Sequence, residues 1–115
     1  MKPPMIMLAV LLLGGCASTP AGLENRPVAF SENSDKTVDD YVRCVMPKMV
    51  SLAANTHVIP TENGQRIIVD GGGFAPQVMA VGDVEASKQG SSVVVREHQH
   101  IGGYDDIEGV FKKCL

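Results

Sequence analysis

The spacing of the hydrophobic positions changes along the chain, and each spacing predicts a different element. Near residue 40, apolar side chains recur every three or four residues: Val38, Tyr41, Val42, Val45, Met49 and Leu52. This spacing is typical of one face of an α-helix. Thr37 is a good N-cap, and Asp40 follows at the position of a capping box. The pattern therefore predicts a helix that begins near residue 38.

Pro47 lies inside this periodic segment. Proline has no backbone N–H, and its ring crowds the carbonyl of the residue four positions earlier, which is Arg43 here. We therefore expect a kink, or a break after which Pro47 opens a second helical turn. Asp39 and Arg43 have the i,i+4 spacing of a helical ion pair.

Beyond residue 55 the pattern changes to runs rich in β-branched residues, which predict strands. The runs cover residues 56–59, 66–69, 77–85 and 92–99. Turn-forming residues separate them at positions 60–64, at Asp70 and the three glycines that follow it, and at Lys88-Gln89-Gly90. In the last run, Val93 and Val95 are predicted to face one way, and Val94 and Arg96 the other.

A second helix is predicted from about Tyr104 to Cys114, after Gly102 and Gly103 end the sheet. Its apolar positions fall on one face: Ile107, Val110, Phe111 and Cys114. Acidic residues fill its first turns and lysines its last, an order that the helix dipole favours. Residues 37–115 are therefore predicted to form a small α+β domain. It comprises an N-terminal helix, three or four antiparallel strands and a C-terminal helix.

The first fifteen residues carry a nine-residue apolar run, Met5 to Leu13, behind a single Lys2. The run is much shorter than the roughly 20 residues that span a bilayer, and it has the length of a signal-peptide core. It ends in Leu13-Gly14-Gly15-Cys16, which resembles the bacterial lipobox. The resemblance implies that residues 1–15 are a lipoprotein signal peptide. It also implies that Cys16 receives a diacylglycerol on its sulfur and is then N-acylated. The alternatives are an ordinary signal peptide that contains a Cys, and an interfacial hydrophobic end.

Two or three acyl chains hold a protein firmly to a membrane, whereas one holds it marginally. Ala17, not Asp, follows the lipidated Cys16, which resembles the sorting pattern of Gram-negative outer-membrane lipoproteins. We therefore expect a lipid-anchored protein of the outer membrane that faces the periplasm. Residues 16–36 show no sustained periodicity and are interpreted as the lipidated end and a flexible tether. Val28-Ala29-Phe30 is interpreted as an isolated apolar patch within that tether, and the alternative is that it docks on the domain or on a partner.

Once Cys16 is assigned to the lipid, Cys44 and Cys114 remain as a pair in an oxidising compartment. Each lies on or beside the apolar face of a predicted helix. We therefore predict a disulfide that holds the last helix against the first. A disulfide to a partner protein and two free thiols are the alternatives.

Composition and the lack of known catalytic motifs exclude several classes of function. The chain of 115 residues has a formal charge of −3 and 4% aromatic residues. Nucleic-acid binding, which needs a basic face, is therefore not expected. Asp70-Gly-Gly-Gly lacks the Lys-Ser/Thr of a phosphate loop, and the serines lack the GxSxG pattern of a nucleophile elbow. We predict neither an enzyme nor a cofactor.

His98 and His100 would share one face of the last strand, with His57 as a candidate third imidazole. Imidazoles bind Zn²⁺ or Cu²⁺, but neither HxxxH nor a Cys-rich spacing is present. A solvated strand end is therefore the favoured interpretation, and a metal site is the alternative.

The chain also resembles a set of small uncharacterised lipoproteins of Gram-negative bacteria. The matching features are Leu13 to Cys16, Tyr41-Val42-Arg43-Cys44, Gly90 to Val95 and Tyr104 through Cys114. The resemblance implies the fold and the location, and no activity. We expect a non-catalytic module that binds an envelope protein through a sheet face or an edge strand. The alternatives are an inhibitor or immunity-type protein that uses the loop Asp70 to Pro76, and a periplasmic metal-binding protein.

Overall fold

The computed structural model describes residues 27–52, 55–70, 78–97 and 104–115. Within these ranges the chain forms β1 (Val28–Ser34), α1 (Val38–Leu52), β2 (Asn55–Pro60), β3 (Gly64–Asp70), β4 (Val78–Ser87), β5 (Gly90–Glu97) and α2 (Tyr104–Lys113). The strands form one antiparallel sheet in the order β1-β5-β4-β3-β2. The predicted α+β fold is confirmed, and the described sheet has five strands rather than three or four.

The additional strand is β1, and it corrects the interpretation of residues 28–34 as part of the tether. It pairs with β5 from Val28 opposite Arg96 to Ser34 opposite Ser91. Phe30 is buried in the core, so Val28-Ala29-Phe30 is not an isolated patch. Phe30 and Ser34 are the two buried residues of β1, which has a neighbour on one side only. Such sparse burial leaves no alternating apolar pattern in the sequence.

Helix α1 begins as predicted. The Thr37 hydroxyl accepts a hydrogen bond of 3.2 Å from the Asp40 N–H, and the Thr37 carbonyl accepts one of 2.9 Å from the Tyr41 N–H. The helix then runs without a break through Pro47 to Leu52. Pro47 and Arg43 are both exposed, so water can bind the Arg43 carbonyl that lacks its usual N–H donor.

Both helices pack on one face of the sheet, which we call the inner face. The buried core there includes residues from both helices and from four strands: Phe30, Tyr41, Val42, Val45, Met49, Ile67, Val69, Ala80, Val84, Val93, Val95, Ile107, Val110, Phe111 and Cys114. The Tyr41 hydroxyl donates a hydrogen bond of 2.7 Å to the Phe111 carbonyl. The Phe111 ring rests on Gly82, where an added Cβ would lie 2.5 Å from ring atom Cε1.

The predicted disulfide between Cys44 and Cys114 is present, with the two Cα atoms 5.7 Å apart. It joins α1 to the end of α2. The same end is held by β1 and the segment after it. The Ser34 hydroxyl donates to the Leu115 carbonyl at 3.2 Å, and the Lys36 ammonium donates to the Cys114 carbonyl. Residues 34–36 therefore belong to the folded domain rather than to a tether.

Candidate binding surface on the outer sheet face

The second face of the sheet, which we call the outer face, is not covered by either described helix. Residues opposite each other in antiparallel strands lie on the same face, so the pairing defines rows of side chains across the sheet. The first row is His57, Ile68, Val81, Arg96 and Val28; the second is Ile59, Arg66, Asp83, Val94 and Ser31; the third includes Glu85, Ser92 and Asn33. The outer face therefore combines apolar, charged and small polar side chains.

A group of three charged side chains occupies the centre of this face. Arg66 donates to Asp83 through Nε at 2.7 Å and through Nη2 at 3.3 Å, which is a two-bond contact between a guanidinium and a carboxylate. Arg96 approaches the same carboxylate less closely, with Nη1 4.0 Å from Oδ2. We call these residues the Arg66–Asp83–Arg96 group.

Arg96 retains hydrogen-bonding capacity that Asp83 does not use. Its Nε is buried and has no hydrogen-bond partner in the described part of the chain. A shallow cavity of about 170 Å³ lies beside it, lined by Asp83, Glu85, Ser92, Val94 and Arg96. Arginine carries five N–H donors in a fixed planar arrangement, which matches a carboxylate. The cavity lining also includes the carboxylates of Asp83 and Glu85, so it suits a polar side chain that both accepts and donates hydrogen bonds.

Apolar residues flank the charged group. Ile68, Val78 and Val81 form a buried cluster separate from the main core and, at 3%, 6% and 3% exposure, offer little surface to a partner. Val28 and Ile59, at opposite edges of the sheet, are 43% and 39% exposed. Arginine among apolar side chains is characteristic of the centres of protein interfaces. The outer face therefore has the composition of a protein-binding surface.

Of the three histidines, His57 lies within the described residues. His57 lies at the β2 edge, with Nδ1 3.8 Å from Asp70 Oδ2. His98 and His100 lie outside the described residues. Within the described ranges, no group of three or more His, Cys, Asp or Glu side chains is placed to hold a metal ion. The metal-binding alternative stays untested.

The lipobox with Cys16, and residues 71–76 of the loop proposed for an inhibitor, also lie outside the described residues. Of the helices that the structure describes, neither has the length and apolar character needed to cross a membrane.

The sequence analysis placed Arg96 on the face opposite Val93 and Val95, and the structure confirms this placement. It did not identify Arg66 or Asp83. Little signal was available, because Arg66 begins the run 66–69 directly after polar residues and Asp83 shares the run 77–85 with Glu85. What the sequence lacks is the register that sets Arg66 opposite Asp83.

Comparison with known proteins does not place the chain in a family. No protein-family model, curated protein or solved structure matches it. The candidate function therefore rests on the sequence and on the geometry of the outer face.

Proposed function

We propose that this protein is a lipid-anchored, non-catalytic module of the bacterial envelope that binds another envelope protein through the outer face of its sheet. The observation that carries the proposal is the Arg66–Asp83–Arg96 group, set among apolar side chains on a face that no described helix covers. The lipobox at Leu13 to Cys16 supports the anchoring. A lipid attached to Cys16 keeps the module close to a membrane while the domain stays in water.

The partner is proposed to present a polar side chain that hydrogen-bonds to Arg96, surrounded by apolar residues. Arg96 Nε has no hydrogen-bond partner in the described part of the chain, and Arg96 lines an open cavity together with Asp83 and Glu85. An amide or hydroxyl group can accept a hydrogen bond from the guanidinium and donate one to a carboxylate. Its neighbours in the rows are Val28, Val81 and Val94. A polar side chain on the partner would therefore bond to Arg96 while apolar side chains around it contact Val28 and Val94, since Val81 is only 3% exposed.

The size of the face sets the expected strength of binding. Five strands at about 4.8 Å give a width of roughly 24 Å, and three rows cover about five residues, or roughly 17 Å, along the strands. The product is roughly 400 Å², about half of the roughly 800 Å² that each partner buries in a standard interface. We therefore expect modest affinity in solution. Anchoring both partners to one envelope raises their effective concentration.

Position-specific photo-crosslinking in cells that produce the full-length protein tests the surface. A photoreactive residue is placed at Ser31 or Asn33, both exposed on the outer face, and at Arg43 or Val50, both exposed on α1. We expect one discrete protein adduct from positions 31 and 33 and none from positions 43 and 50.

The charged centre is tested in the same assay. Arg96→Gln is expected to remove the adduct, whereas Arg43→Gln, a matched change on the helical side, retains it. Equal adducts from the outer sheet face and from α1 would contradict the proposed surface. So would an adduct that persists unchanged in Arg96→Gln.

The anchor has its own test. Cys16→Ser is expected to abolish incorporation of a labelled fatty acid and to leave unprocessed precursor. The unsubstituted chain should be labelled and separate with the outer-membrane fraction. Continued labelling of the Cys16→Ser chain would show that Cys16 is not the lipidated residue.

A further inference from the structure

A groove on the helical side of the molecule is separate from the outer sheet face. Its volume is about 550 Å³, and it is lined by Lys48, Ser51 and Leu52 of α1 and by Asp106, Val110 and Lys113 of α2. Small-molecule sites commonly measure roughly 300–1,000 Å³. The groove is therefore large enough for a small ligand, unlike the cavity of about 170 Å³ beside Arg96.

The two lysines lie at one end of the groove. Lys48 Nζ is 3.9 Å from Cys44 Sγ, and Lys113 immediately precedes Cys114. Because Cys44 and Cys114 are bonded to each other, the Lys48 ammonium and the Lys113 backbone both lie at the disulfide end. Within the described part of the chain, neither lysine forms an ion pair with a carboxylate.

The groove becomes apolar away from the lysines. Leu52 lies eight residues beyond Cys44, about 12 Å along the helix. Its side chain is 51% exposed, whereas Val110 is 8% exposed. The methylene groups of lysine side chains can extend such an apolar wall while their ammonium groups stay in water. The groove thus has a cationic end, and away from it Leu52 and Val110 supply apolar surface next to the Asp106 carboxylate.

We infer that this groove binds a single aliphatic chain that ends in an anionic head group, such as a fatty acid or a lysophospholipid. The head group pairs with Lys48 and Lys113, and the chain covers Leu52 and Val110. Asp106 lies eight residues before Cys114, away from the lysine end, and repels a second negative group. The charge pattern therefore selects one orientation of the ligand.

An amphipathic helix from a partner protein fits the groove less well. Such a helix uses apolar anchors at positions i, i+3 or i+4, and i+7, and needs a matching row of apolar contacts. The groove lining offers two apolar side chains, Leu52 and Val110, between charged and polar ones. A flexible chain with one charged end matches this lining better than a helix does.

Photoaffinity labelling with a diazirine analogue of dodecanoate tests the inference on the full-length lipidated protein in phosphatidylcholine nanodiscs. Peptide mapping is expected to place the label on the segments that contain Leu52 and Val110. Excess dodecanoate and excess lysophosphatidylglycerol, tested separately, should each reduce the labelling. Comparing the two reductions shows which anionic head group binds better. Dodecyltrimethylammonium, which carries the opposite charge, should not compete.

Matched variants make the test specific to the groove. Leu52→Glu and Lys113→Gln are each expected to lower labelling about tenfold, because each removes an apolar contact or a charged hydrogen bond. Val50→Glu and Lys112→Gln change neighbouring residues that do not line the groove, and should leave labelling unchanged. Unchanged urea midpoints would show that the variants are folded.

Three results would overturn the inference. They are label spread evenly over the surface, labelling that Leu52→Glu and Lys113→Gln leave intact, and equal competition by the cationic amphiphile. These outcomes are independent of the proposed outer-face interface, because no groove residue belongs to that face.

Discussion

Arg66 and Asp83 face each other across β3 and β4 and are joined by two hydrogen bonds, of 2.7 and 3.3 Å. Their side chains are 19% and 20% exposed, so water and salt screen the pair less than a fully exposed pair. The contact therefore stabilises the sheet as well as shaping the proposed binding surface.

The first prediction concerns the loss of this carboxylate. Asp83→Ala leaves the Arg66 guanidinium without its two-bond partner and is expected to lower the free energy of unfolding by about 1–3 kcal/mol. The control is Asp39→Ala, which removes an exposed hydrogen bond of 3.2 Å from Gln65 Nε2 to Asp39 Oδ1. Urea denaturation should show a clear shift for Asp83→Ala and little for the control. Equal shifts would contradict a special role for the Arg66–Asp83 pair.

The second prediction uses two glycines in opposite surroundings. A Cβ at Gly82 would lie 2.5 Å from Phe111 Cε1, whereas a Cβ at Gly109 meets nothing within 4 Å. Gly82→Ala should therefore destabilise the domain by about 1–3 kcal/mol through overpacking. Gly109→Ala should stabilise it by about 0.5–1 kcal/mol, because alanine is favoured inside a helix. Thermal unfolding of both variants checks the opposite signs, and a stabilising Gly82→Ala would refute the packing of Phe111 on Gly82.

Much of the fold is predictable from local patterns. The apolar stripe from Val38 to Met49 and the one from Ile107 to Cys114 identified both helices, because each buries one continuous face. The turn at Lys88 and Gln89 was also identified, and Gly90 there has a φ of +141°, a backbone conformation that favours glycine.

The remaining features depend on contacts between distant segments. Strand β1 buries Phe30 and Ser34 alone, so its pairing with β5 leaves almost no trace in the sequence. Arg66 and Asp83 form a pair only because β3 and β4 adopt one register. The groove between α1 and α2 depends on where the helices meet, which the pairing of cysteines indicates but does not fix.

The third prediction is a pH dependence. Burial raises the pKa of the Tyr41 phenol above its ordinary value of 10.0. The folded state therefore holds the phenol proton more tightly than the unfolded state does. The resulting contribution to the free energy of unfolding is present below pH 10 and declines above it. At pH 11 the phenol of the unfolded chain has released its proton, and the free energy of unfolding should be about 1.4 kcal/mol lower than at neutral pH.

Tyr41→Phe isolates this effect. The variant loses the hydrogen bond to the Phe111 carbonyl, which costs about 1 kcal/mol at neutral pH. It should also lack the added decline between pH 8 and pH 11. The hydrogen bond with Glu108 raises the pKa of Lys112, but that group is present in both proteins, so it cancels in the comparison. If urea unfolding shows that the native protein and Tyr41→Phe lose stability in parallel between pH 8 and pH 11, the raised pKa of the Tyr41 phenol is contradicted.

The fourth prediction concerns the disulfide between Cys44 and Cys114. The bond closes a loop across a sequence separation of 70 residues, and in the chain-entropy model this contributes about 4 kcal/mol to stability. Dithiothreitol should therefore sharply lower the urea midpoint of the native chain. A Cys44→Ala, Cys114→Ala double variant should already be destabilised and not respond to the reductant. When the unsubstituted protein is denatured without a reductant, thiol titration should detect neither Cys44 nor Cys114. Because α2 carries Val110 and Lys113, reduction should also weaken labelling of the groove before it affects crosslinking at Ser31.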